Sequence, residues 1–365
     1  MRTSLFLRTI AASILEVICL FLTFSCIDQV QSEWPEDVSF TTEDADTIQL
    51  NAEIVNRSYD FISAKRFFVY SDSVLVVINK SEENKPLVQF ANLRTGEELG
   101  RTLMYGNGPI EALMANPFIV GDILYVKDAA RSRLISIDIP SILSNPSDFH
   151  PEVVDDFTDY PAVFVIPLDG ETMVYENSYC FEDRESGYVN EGQDRLLFAP
   201  RGEHGTIRIG NPKYDTYNVS QGYIVPFKEK NRIFYSSLSL PLIEIYDCSG
   251  ERIKRLSGPT SLAVDYGIRD GSVLFNGKLP YTYLHSCRYE DSFFANYVGG
   301  YFKGSYSDLH STIMQFNTDG VLQRSFISPV FLSSFSISSD GVFYGQGYDE
   351  TETVVLWKLT PLEKQ

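Results

Sequence analysis

Along most of the chain, apolar residues come in short runs rich in Val, Ile, Phe and Tyr, broken by Gly, Asp, Asn, Ser or Pro. Runs of that length bounded by turn residues are β-strands. One order of signals recurs. A polar turn leads into a branched or aromatic strand at Asp72–Val76, Asp122–Val126, Asp169–Val174, Asn231–Tyr235, Asp291–Ala295 and Asp340–Tyr344. A further strand follows, as at Leu134–Asp138, Ile243–Asp247 and Ile313–Asn317, and then a Gly-containing turn such as Arg94-Thr95-Gly96-Glu97 or Thr318-Asp319-Gly320-Val321. Gly or Pro then ends the unit at Gly106–Pro109, Tyr160-Pro161, Gly210–Pro212, Gly258-Pro259 and Ser328-Pro329. Gly admits positive φ and Pro refuses a ladder hydrogen bond, so each site turns the chain out of one sheet and into another.

The recurring turns lie 50, 47, 62, 60 and 49 residues apart. Those intervals suit four strands per unit with variable loops. Sheets of that size bury both faces only by packing radially against their neighbours. The predicted fold is therefore all-β, a six-bladed propeller of four-stranded antiparallel blades; the alternative is a pair of β-sandwich domains. Closure predicts that Thr47–Val55 pairs beside Val354–Trp357. The only helix candidates are short, at Ser141–Leu143 and Leu262–Val264.

Three segments follow from the patterning: 1–25 a lipoprotein signal peptide, 26–46 a flexible tether, and 47–365 the propeller. Arg2 and Arg8 precede the apolar stretch Ile10–Leu22, and Thr23-Phe24-Ser25-Cys26 ends it as a bacterial lipoprotein signal does. Cys26 is the expected lipidation site, which makes the membrane a partner through the N-terminal lipid and the cell envelope the compartment, outer-membrane-anchored and periplasmic or surface-exposed. The acidic residues from Asp28 to Asp46 give 26–46 the composition of a tether. Beyond Cys26, only Cys180, Cys248 and Cys287 remain, too few and too scattered for a disulfide framework.

Lys plus Arg number 30 against 49 Asp plus Glu, a net charge of −19. That balance repels phosphate backbones, so nucleic acid is not an expected partner. The acids form no long like-charged block, which makes them a solvated surface.

Gly106-Asn107-Gly108-Pro109-Ile110-Glu111, followed by Asp122–Asp128 and Arg133–Asp138, resembles the Gly-x-Gly-Pro-x-Glu signature of the TolB-like six-bladed propeller lipoproteins of Bacteroidetes. Ala112 stands where that family usually carries an aromatic residue. The resemblance implies the propeller and the lipid anchor; members of the family mostly have no assigned activity, so it implies no reaction.

Catalytic signatures are missing from the sequence. His150, His204, His285 and His310 are not at metal-ligand spacing, no Gly-x-Ser-x-Gly occurs, and Gly299–Ser305 has the composition of a phosphate loop in the wrong order. No catalytic residue, cofactor or metal site is assigned. Two groups are candidates for ligand binding. Glu111, with Arg131 or Arg133 in reach, is placed to face a central channel, or else to cap the turn that carries it. Tyr297, Tyr301 and Tyr306 lie in a Tyr- and Gly-rich stretch suited to stacking on a sugar or peptide, or to packing between blades. The expected function is a lipid-anchored binding or interaction module with a protein or glycan partner; the alternative is a propeller hydrolase or lyase using channel carboxylates.

Overall fold

The computed structural model describes residues 35–362 except 56–63, 84, 129, 157–163, 178, 181, 184–187, 190–193, 204–212, 261, 263, 303, 307 and 308. Cys26 and segment 1–25 therefore lie outside the described residues, as do the hinges at Tyr160-Pro161 and Gly210–Pro212. No helix among the described residues is long and apolar enough to cross a membrane.

The protein is all-β, built of antiparallel sheets taken up in chain order. The first two sheets span Ala64–Met104 and Ala115–Asp156, each with four strands. The third, Val165–Pro200, shows three strands among the described residues, with a separate two-stranded hairpin inserted between its second and third. The fourth spans Gly222–Ser257 and the fifth Pro280–Ile327. The last, Leu332–Pro361, has three strands of its own and takes its fourth from the N-terminal strand Asp46–Ile54. In five sheets the recurring polar turn leads directly into the second strand, and in the fifth the turn at Glu290-Asp291 does the same before Ser292–Tyr301.

Closure occurs where it was expected, with Ile54 opposite Trp357 and Ala52 opposite Leu359. The first part of the same strand runs parallel to the edge of the preceding sheet, Asp46 opposite Arg324 and Gln49 opposite Ile327. Two neighbouring sheets thereby become one eight-stranded ladder. The strand predicted to begin at Thr47 starts at Asp46, and residues 37–44, assigned to a flexible tether, lie on the body. Asp37–Ser39 adds a parallel edge strand to the fourth sheet, with Val38 opposite Leu256. Phe40 is buried beside it, edge-on to Phe316 at 5.5 Å. Acidic composition hid this docking, because its apolar anchors, Val38, Phe40 and Ala45, are scattered among many carboxylates.

The turn residues explain themselves. Asn92, Asp169, Asp247, Asn317 and Asp349 each accept hydrogen bonds from backbone amides two to four residues on, closing the turn with the side chain. Gly96, Gly250 and Gly320 hold φ of 77°, 92° and 75° in equivalent turns, where a Cβ would be strained. Between the turns, the second strand Val74–Asn79 is buried at every position. It has sheets on both faces, so its sequence is continuously apolar and does not alternate. Each such aliphatic side chain contributes about 1.5–3 kcal/mol through burial. The helix candidate near Ser141 is a short helix, Ile139–Ser144, capped by Asp138; the segment near Leu262 is not helical at the described positions.

Candidate functional site

Among the described residues the innermost strand of each sheet forms a ladder on one edge only, with the second strand. Pro117 and Pro226 are tolerated within these strands because an edge strand needs no donor on its free side. Close to the middle of each innermost strand stands one ring: Phe68, Phe118, Phe164 (just before its strand), Tyr223, His285 and Phe335. These rings meet one another. Phe118 and Phe164 are 5.3 Å apart, Phe164 and Tyr223 5.8 Å, Tyr223 and His285 5.2 Å, and His285 and Phe335 5.3 Å. Phe68 reaches His285 at 6.2 Å, and Arg66 donates to the Tyr223 hydroxyl at 3.2 Å. Residues of all six innermost strands thus converge on one place, although they are up to 267 residues apart in sequence.

Above this aromatic floor lies a cavity of about 580 Å³, walled by the second half of the innermost strands. The volume is that of a small-molecule site. Its walls are mainly aromatic and aliphatic, interrupted by Ser71, Ser286, Ser336 and Ser339, with Arg288 and Glu290 as the charged residues among them. Arg288 is held by Glu229 at 2.6 Å and lies over the Phe227 ring.

Burial sets the protonation of the ionisable side chains in the lining. Burial pushes the His285 imidazole down to about 3, with the nearby Arg66 adding to the effect, so it is neutral at neutral pH. Burial pushes the Cys287 thiol upward, away from the thiolate a nucleophile needs. Tyr70 is pushed up to about 12, by burial first and then by its hydrogen bond to Asp122. Acid–base catalysis by channel carboxylates needs at least two of them, and Glu290 alone lines the cavity. Among the described residues, no three His, Cys, Asp or Glu side chains come together as a metal-binding set.

The sequence candidates lie elsewhere. Glu111 accepts from the Gly108 amide at 2.6 Å, so its carboxylate folds onto its own turn instead of facing the channel. Arg131 and Arg133 are brought to the same turn, but they bind its carbonyls. Arg131 donates to Gly108 and Glu111 at 2.9 and 3.3 Å, and Arg133 donates to Pro109 at 3.0 Å and also to Glu111. Asp128 takes the amides of Leu113 and Met114 and sits 3.7 Å from Arg133. The Gly-x-Gly-Pro-x-Glu segment is thus a clamped crossover between the first and second sheets. Tyr297 is buried, with its hydroxyl on Thr260. Tyr306 stacks on Tyr348 at 4.2 Å and on Phe331 at 4.9 Å, and Tyr301 lies under Lys278. None of these residues borders the cavity.

Two groups of residues escaped the sequence reading. The ring positions escaped because they precede the turn residue by offsets ranging from four (Phe68 to Asp72) to eight (Tyr223 to Asn231), which hides their equivalence. The second group is a buried polar network between the third and fourth sheets. Glu244 holds Arg195 at 3.2 Å and Arg255 at 3.1 Å, and accepts from Tyr246 at 2.8 Å. Tyr235 reaches Glu176, whose carboxyl burial pushes up to about 8, while burial lowers Lys127 to about 8. This network ties adjacent sheets and is separate from the cavity lining.

Among solved structures, the chain is similar to a DUF4221 family member from Bacteroides vulgatus, at 11% identity and a TM-score of 0.51, covering 86% of this chain and 97% of that one. It is also similar to a Bacteroides fragilis protein named "Putative exported protein (BF0058)", at 12% identity and a TM-score of 0.50, covering 90% and 100%. The β-propeller domain of Myceliophteria thermophila Cps50 (Swd1) aligns at 9% identity and a TM-score of 0.40, covering 86% and 100%. No family model and no curated protein matches the chain. At these identities the likeness to the two Bacteroides proteins is one of fold alone.

Proposed function

We propose that the protein is a six-bladed β-propeller of the cell envelope, lipid-anchored through Cys26, that acts as a binding module and takes a small, largely apolar ligand into its axial cavity. The observation that carries this reading is the aromatic-lined cavity itself. Six innermost strands contribute rings to one floor, and the walls offer a neutral His285 and a protonated Cys287 but no pair of carboxylates. Such a lining gives stacking and dispersion contacts without an activated acid, base or nucleophile. The radial sheets, each with its second strand buried on both faces, support the blade count. The signal-like N-terminus supports export, and the B. fragilis neighbour named "Putative exported protein (BF0058)" is consistent with it. A protein or glycan partner would dock on the loops around the cavity mouth or on the aromatic cluster of Tyr306, Phe331 and Tyr348.

Native mass spectrometry of the protein released from its own envelope tests the reading. The expected result is a bound small molecule that is lost when Val120, on the cavity wall and half-buried, is changed to Trp. A bound species retained equally by folded Val120→Trp would place the ligand elsewhere, and turnover of a glycan or peptide in the cavity would overturn the non-catalytic reading.

A further inference from the structure

The cavity occupies only the half of the axis that follows the aromatic floor. On the other side, where the innermost strands begin, the side chains are of a different kind. Lys65 and Arg66 stand next to each other at the start of the first sheet. The Lys65 ammonium donates to the Ala115 carbonyl at 3.1 Å and to the Asn116 side-chain oxygen at 3.0 Å. The Arg66 guanidinium donates to the Tyr223 hydroxyl at 3.2 Å and lies 5.8 Å from the centre of that ring. Every one of these partners is neutral. Among the described residues neither cation meets a carboxylate, in a chain where 49 acids face 30 bases.

Two adjacent cations that meet no carboxylate among the described residues repel one another. The consequence is visible in Lys65, whose ammonium is held below its usual range by burial and then by Arg66. His285 on the far side of Arg66 is neutral and offers no compensation. With its oxygen on Lys65, Asn116 has its amide nitrogen left over. Ser334 is 1% exposed, and its hydroxyl has no hydrogen-bond partner among the described residues. It stands opposite Gln346 in the last sheet, and Gln346 donates to the Lys65 carbonyl at 3.3 Å, which brings that strand pair to the same end of the axis.

We propose that this second end of the axis is an anion-binding site, in which Lys65 and Arg66, assisted by Asn116 and Ser334, take the oxygens of a phosphate or carboxylate group. A guanidinium and an ammonium on consecutive residues of one strand supply a fork and a point charge, the pairing that suits either group. The net charge of −19 does not forbid it. Surface charges beyond about 8–10 Å are largely screened at physiological salt, whereas contacts of hydrogen-bond length are screened far less. The site uses different residues from the cavity and does not depend on the ligand proposed there.

The test uses the full soluble body and inorganic phosphate as the probe, with acetate in a parallel arm and sodium chloride at matched ionic strength as the reference. Binding is read by thermal shift and by phosphorus NMR line width. The expected result is saturable stabilisation by one of the two anions beyond that of chloride, weakened at least about tenfold in Lys65→Gln and in Arg66→Gln. Saturation by phosphate assigns a phosphate group, and saturation by acetate alone assigns a carboxylate. Lys65 is exposed, so Lys65→Gln should fold even if Arg66→Gln, which gives up the bond to Tyr223, does not. Shifts no greater than those of chloride, or equal affinity in wild type and Lys65→Gln, would overturn the proposal. Occupancy of the aromatic cavity is measured on the same samples with an apolar dye, so failure of one site is told apart from failure of the other.

Discussion

Replacing His285 by Phe should remove a pH-dependent loss of stability. In the folded protein the imidazole is enclosed by Phe68, Tyr223 and Phe335, and burial lowers its pKa from 6.5 to about 3. In the unfolded chain it titrates at its ordinary value. As pH falls below about 6.5 the unfolded chain binds a proton that the folded chain refuses, so stability falls until about pH 3, where both are protonated. Each unit of separation is worth about 1.4 kcal/mol, so the full loss is on the order of 5 kcal/mol. Between about pH 6.5 and pH 4.5 the loss is roughly 2.7 kcal/mol. Glu176 acts in the opposite direction. Its carboxyl is raised to about 8, so the folded chain takes up a proton first and gains stability as pH falls from about 8 toward the ordinary carboxylate range. Comparing wild type with His285→Phe cancels that contribution, because both chains keep Glu176. Urea denaturation at several pH values is the assay. The variant should gain roughly 2.7 kcal/mol relative to wild type on going from about pH 7.5 to pH 4.5. A difference that stays constant with pH would mean that His285 is solvated, and with it the floor of the cavity.

Phe40→Ala should destabilise the body by about 3–4 kcal/mol in chemical denaturation, because Phe40 anchors the N-terminal segment against Phe316. A change under about 1 kcal/mol would show that the segment is not held there. Glu111→Ala should cost about 1–2 kcal/mol through loss of the Gly108 amide's acceptor, with cavity binding untouched. Loss of ligand without loss of stability would instead make Glu111 a binding residue. Cys26→Ser should abolish fatty-acid labelling and move the protein out of the membrane fraction; unchanged labelling and fractionation would remove the anchor from the account.

The strands were legible because a turn residue whose side chain closes the turn, such as Asp169 or Asn317, leaves a local mark just before or after each one. The pairing of Asp46–Ile54 with Val354–Pro361 was legible too, since the last sheet has only three strands of its own in the C-terminal sequence. The docking of Asp37–Ser39 was not, because parallel pairing to a distant edge strand leaves no local periodicity. The site was the least legible part. Its rings come from strands separated by turns of different length, and His285 reads in sequence as a lone histidine, whereas its neutral state comes from three rings supplied by other sheets. Glu111 drew attention as a carboxylate in a striking local motif, but the motif's residues are spent on its own backbone.

The central claim is that the axial cavity is a binding site, and equilibrium titration with the apolar fluorophore N-phenylnaphthylamine tests it most directly. The account predicts a saturable single-site rise in fluorescence with the wild-type body. In Val120→Trp, with the fold intact by circular dichroism, affinity should fall at least about tenfold, because the indole fills the space the probe needs. A titration that never saturates, or one that folded Val120→Trp reproduces unchanged, would contradict it.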